Sequence, residues 1–167
     1  MPTAILEAAS VGNYDAWTNY GGADKVVSVA LPDDDDTTYI LEGNHTNRQS
    51  YTLDPLSGAG SITSVAVMLR ARGTNATSSQ IKHFLRLGGT DADSASNTFG
   101  TSYAEYTWNT VGRPGGGDWT PADFTTLEVG CIKNADTSHT ANRGRVTTIE
   151  VHVVYVPVSG GMLWNLG

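Results

Sequence analysis

The densest set of groups able to do chemistry is the run Asp33 to Asp36 in LPDDDDTTYI. Adjacent carboxylates supply the hard oxygen donors that calcium prefers. An EF-hand loop starting at Asp33 would place Asp33 and Asp35 at its first and third positions. It would then need glycine at the sixth and glutamate at the twelfth, where Thr38 and Asn44 stand. The motif fails, leaving three readings. The first is a less regular calcium site built from Asp33, Asp35 and Asp36. The second is an acidic patch facing a partner, and the third a solvated turn in which aspartates cap backbone amides. The third is the one the residues favour.

The other reactive side chains form no motif. His45, His83, His139 and His152 lack ligand spacing, and Cys131 has no second cysteine for a zinc site or an intramolecular disulfide. Cys131 sits in the apolar run EVGCIK, where a buried structural thiol is expected rather than a nucleophile paired with His139 or His152. Gly58-Ala59-Gly60 is a turn before a strand, because neither the later glycine nor the lysine of a phosphate loop follows. No Gly-x-Ser-x-Gly elbow occurs. No enzyme and no cofactor are expected. Trp17, Tyr20, Tyr103, Tyr106, Trp108 and Trp119 cluster around expected loops. They suit either packing at the ends of a sandwich or stacking against sugar rings.

Whatever these residues do, the rest of the chain must position them. Its 167 residues suffice for one domain with a real core. Only 16% are charged and 19 are glycine, which argues against helical bundles. A net charge of −7 opposes general nucleic-acid binding, which needs a basic surface. The N-terminus has neither the basic nor the apolar region of a signal peptide. No run approaches the roughly 18 apolar residues of a membrane span. A soluble protein made in a cytosol, without membrane contact, is expected.

Residues 1–25 show no clear periodicity and read as an N-terminal arm. Short β-type runs follow at 26–31, 37–43 and 49–56. In 61–73, Val65, Val67, Leu69 and Ala71 alternate with Ser64, Ala66, Met68, Arg70 and Arg72. In 145–157, Ile149, Val151, Val153 and Tyr155 oppose Thr148, Glu150 and His152, and Pro157 ends the run. Residues 78–89 also alternate, but Phe84 falls with the charges, so the inner face stays ambiguous. Further strands are expected at 101–108 and 128–134. One short helix is expected where Thr120 caps, Pro121 opens and Asp123 completes a capping box, with Phe124 and Leu127 as anchors. The fold class is therefore all-β: an antiparallel β-sandwich of jelly-roll type over 26–157, with one short helix and extended arms at 1–25 and 158–167. Trp17, Tyr20, Met162, Leu163, Trp164 and Leu166 are the candidate partner-binding residues, the last four lying beyond the final strand.

In its order of DDDTTYI, YTL, SITSVAVMLRARG, KHFLRLGGT, WTPADFTTLEVG and RVTTIEVHVVYVP, the chain resembles small β-sandwich virion proteins of tailed bacteriophages. The resemblance implies a non-enzymatic structural protein, first a head decoration or cement protein bound to the major capsid protein and stabilising capsomer junctions. It also implies a homo-oligomer, such as a trimer, on the head surface of the virion after synthesis in the host cytoplasm. The alternative it leaves is a carbohydrate- or receptor-binding module of a tail or fibre.

Overall fold

The computed structural model describes residues 1–30, 36–42, 47–74, 80–98, 100–134 and 143–158. Among them run eleven strands: β1 (Thr3–Asp15), β2 (Thr18–Tyr20), β3 (Tyr39–Glu42), β4 (Arg48–Leu53), β5 (Ala59–Gly73), β6 (Gln80–Leu87), β7 (Thr90–Asp93), β8 (Asn97–Thr98), β9 (Ala104–Trp108), β10 (Glu128–Asn134) and β11 (Gly144–Pro157). Every pairing between them is antiparallel. The expected antiparallel sandwich of jelly-roll type is what forms.

The first sheet is built on the long β5–β11 pair, with β9 outside β5. The far edge of β11 is shared: β3 pairs with residues 144–146, and the first half of β1 with residues 150–154. The second sheet runs from the second half of β1 through β4, β10 and β6 to β7. Period-two alternation drives the two sheets together. Val65, Val67, Leu69 and Ala71 of β5 are fully buried, as are Ile149, Val151 and Val153 of β11. They meet Tyr51, Ile81, Leu85, Val129 and Cys131 of the second sheet in one core.

Several expectations are corrected. Residues 1–25 are no arm, because β1 pairs with β11 through Glu7 and with β4 from Ala8 onward, changing sheets across a register shift. Its alternation is weak because one strand serves two sheets with differently placed cores. Of the run expected at 26–31, the described residues 26–30 give a 3-10 turn at Val27–Val29 rather than a strand. The amide groups of Val26 and Val27 both donate to Asp24 Oδ1, which holds that chain in a turn. The ambiguous β6 resolves with Ile81, His83, Leu85 and Leu87 inward. Phe84 lies on the outer face yet is fully buried, covered by Arg48 (4.6 Å from its ring centre) and by the edge of Tyr14.

The expected helix is a 3-10 turn, Pro121–Thr125, with the capping box as read: Thr120 caps and Asp123 reaches back to it. Arg113 adds two bonds to the Asp123 carboxylate, both at 3.0 Å. Together with the Thr120 bonds they hold that carboxyl below the usual carboxylate range, outweighing its partial burial. Of the expected C-terminal arm, only Val158 is among the described residues. Met162, Leu163, Trp164 and Leu166 lie outside them.

Candidate functional site: a cleft on an outer sheet face

The alternation that buries one face of β5 and β11 aims the other face at solvent. Three rungs cross that face. Glu105, Arg70 and Thr148 form one; Thr107, Met68 and Glu150 the next; Ala66 and His152 the third. The side chains of the first two rungs and His152 enclose a cleft of about 400 Å³. That is within the range of small-ligand sites.

The floor of the cleft is polar and largely desolvated. Glu150 is only 4% exposed, and its Oε2 lies 2.7 Å from His152 Nε2, so the imidazole orients the carboxylate. Thr148 is 1% exposed, and its hydroxyl has no hydrogen-bond partner among the described residues. A buried hydroxyl without a partner is uncommon. Met68 supplies the apolar part of the lining, and Glu105 and Thr107 stand exposed along the β9 rim. A short bulge tunes the spacing: Val146 pairs with Ala71 and Thr148 with Arg70, so Thr147 is the extra residue. It puts Val146 and Ile149 both inward and Thr148 and Glu150 both outward.

Beside the cleft, toward β3, lies a second polar group. Arg72 and Arg145 sit opposite each other on β5 and β11. Asp36 Oδ1 accepts from Arg72 Nη2 and from Arg145 Nη1, the latter at 2.9 Å. Of the three calcium candidates, Asp33 and Asp35 lie outside the described residues, while the Asp36 carboxylate is taken up by two guanidinium groups. Among the described residues, no group of three or more His, Cys, Asp or Glu side chains is arranged around a common metal position.

Of the two readings of the aromatic residues, packing holds for Trp17, Tyr106, Trp108 and Trp119. Trp17 is 1% exposed, with its indole N–H donating to the Asn47 carbonyl at 3.1 Å, so it is a core residue and not a partner contact. Trp108, Trp119 and Tyr106 pack against the core. Tyr20 is exposed, as a partner-binding residue must be, and stacks on Tyr39 with ring centres 4.5 Å apart. Cys131 is fully buried and burial pushes its thiol pKa up, which leaves it unreactive. The cleft residues carried a signal in the sequence, since Thr148, Glu150, His152, Met68 and Arg70 share the polar faces of the two clearest strands. What the sequence lacked was the pairing that sets these faces side by side.

The outer face of the second sheet carries a network of its own contacts, beside a hollow of about 480 Å³ lined by residues that include Asn13, Tyr14, Asn47 and Arg48. Arg86 donates to Asp91 at 2.6 Å, Arg48 to Asp93 at 3.0 Å, and Tyr14 to Asp91 at 3.0 Å. Glu128 accepts from the Ser50 hydroxyl and the Asn13 backbone.

No protein-family model matches this chain, and no curated protein matches it. Among solved structures it is similar to the CBM36-1 domain of a multidomain xylanase from the hindgut metagenome of Trinervitermes trinervoides. The TM-score is 0.45 at 13% identity, covering 94% of this chain and 100% of that one. A carbohydrate binding module of family 29 gives a TM-score of 0.44 at 13% identity, covering 92% and 90%. A variant of such a module complexed with mannohexaose gives 0.43 at 10% identity, covering 91% of each chain. Likenesses this remote carry nothing about ligand or role, and the chain's chemistry rests on its own cleft.

Proposed function

We propose that this chain is a binding module whose ligand is a glycan laid into the cleft on the outer face of β5, β11 and β9. The observation that carries the reading is the unpartnered, buried Thr148 hydroxyl beside the buried Glu150 carboxylate. Sugar hydroxyls donate and accept at once. One can donate to Glu150 while accepting from Arg70, and another can complete Thr148. Met68 meets the apolar C–H face of a pyranose ring. The cleft volume suits one or two sugar rings.

The cleft favours the receptor-binding alternative over the head-decoration role that the phage resemblance implies first. A virion remains the proposed setting, because repeated display turns weak single-site binding into firm attachment.

A panel of neutral polysaccharides and oligosaccharides, screened on an array and followed by calorimetry, tests the reading. Glu150→Gln and Thr148→Val should each keep a cooperative melt. Losing a bond to a charged group costs about 1.5–3 kcal/mol, so Glu150→Gln should weaken binding roughly ten- to a hundredfold. Thr148→Val should weaken it by about a few-fold to tenfold. No saturable binding by the parent protein, or binding untouched in both variants, would overturn the proposal.

A further inference from the structure

We propose that Arg72 and Arg145 form a carboxylate subsite on the same sheet face, closed in the free protein by Asp36, and that its external ligand is the carboxylate of a uronic acid residue. The choice of a glycan as the carrier of that carboxylate rests on the cleft reading above. The anion site itself does not.

Two cations directly opposite each other in a β-ladder repel unless an anion lies between them. Here Arg72 faces Arg145, and Asp36 fills that place with one oxygen shared by both groups. Both arginines are braced independently of it. Arg72 lies 5.0 Å over the Tyr103 ring and donates to the Thr101 carbonyl at 3.2 Å; Arg145 lies 4.4 Å over Tyr39. The Nε atoms of both arginines are buried, with no hydrogen-bond partner among the described residues. The ring contacts hold the guanidinium groups in place, with an Nη atom of each turned to Asp36.

Asp36 is a displaceable occupant. Its side chain is 62% exposed, and ion pairs that open to water contribute little. A planar ligand carboxylate that also makes sugar contacts can replace it at modest cost. Those contacts are at hand: Tyr20 is exposed and stacked on Tyr39, next to Arg145. On the other side, Arg70 lies 5.8 Å from the same Tyr103 ring and lines the cleft. A linear acidic glycan would then put its uronate on the arginine pair and a neighbouring ring in the cleft. The net charge of −7 is spread over the whole surface, and repulsion from carboxylates more than about 8 Å away is largely screened at physiological salt.

The test titrates the parent, Asp36→Asn, Arg145→Gln and Glu150→Gln proteins with trigalacturonate, dextran sulfate and a neutral hexasaccharide, each variant checked by its melt. Asp36→Asn should tighten trigalacturonate about tenfold, the gain of one charge-assisted contact no longer in competition. It should leave the neutral sugar unchanged. Arg145→Gln should abolish trigalacturonate binding, and Arg145→Lys, which keeps the charge without the fork, should restore it in part. Unchanged or weaker trigalacturonate binding by Asp36→Asn would overturn the subsite. An equal gain for dextran sulfate would overturn the carboxylate assignment. Trigalacturonate binding that needs Arg145 but ignores Glu150 would leave the subsite standing while the cleft reading falls.

Discussion

Single residues decide where this sandwich is prepared for a partner and where it is finished. Thr148 and Asp36 mark the first kind, one an unmet hydroxyl and the other a carboxylate standing in for a ligand. His83 marks the second. It is fully buried between the sheets, with Nε2 donating to the Tyr106 carbonyl at 2.7 Å and Nδ1 lying 3.1 Å from Ser94 Oγ. Burial pushes its pKa down, against the pull of the Tyr106 carbonyl. The folded chain thus refuses a proton that the unfolded chain accepts below about pH 6.5. Stability attributable to His83 is complete above that pH and is lost as the pH falls toward the folded-state pKa. Melting temperatures measured between pH 7.5 and 5 should fall, and His83→Gln should flatten the slope. An equally steep slope in the variant would contradict this assignment.

At the scale of elements, hydrophobic alternation and turn chemistry explain most of what forms. The β6–β7 hairpin turns on Gly88 and Gly89, both at positive φ, as a tight two-residue connection between twisted strands requires. The close approach of β4 and β10 depends on Gly130 instead. A Cβ there would stand 1.8 Å from the Gln49 carbonyl oxygen, a backbone atom that cannot step aside. Gly130→Ala should therefore cost about 3 kcal/mol, the upper range for overpacking. In a domain of this size that corresponds to a drop of roughly 10 °C in melting temperature, measurable by calorimetry. Alternation also made β5, β11 and β3 legible, whereas β1 and the 26–31 turn were not. In β1 the inward face changes partners midway, and at Val26 and Val27 a local Asp24 contact outcompetes strand propensity.

For the whole molecule, β1 joins the two sheets, pairing with β11 in one and with β4 in the other. An appended arm could be removed without harm; this strand cannot. A protein lacking residues 2–15 should show no cooperative melt, because β4 loses one edge of its backbone hydrogen bonds and β11 the 150–154 part of one, together with the buried Leu6 and Ala8. A sharp transition in that truncated protein would show that the sheets hold together without β1. The same architecture puts the cleft and the arginine pair on one continuous outer face, while Arg48, Arg86, Asp91 and Asp93 pair with one another on the outer face of the other sheet.

The sequence by itself determined the fold class, the facing of the two longest strands and the capped turn at Thr120. These follow from short-range periodicity and local hydrogen bonding, which a linear chain displays. The candidate site was legible only in halves. Thr148, Glu150 and His152 stood on one polar face, and Met68 and Arg70 on another, with nothing in the chain to say that they share a cleft. Tertiary structure alone decided that, by pairing β5 with β11 across the intervening chain from 74 to 143. It also decided the fate of the aspartate run's last member. Asp36 reads as one more solvated carboxylate until the ladder brings two arginines together beneath it, and their mutual repulsion gives that carboxylate its place.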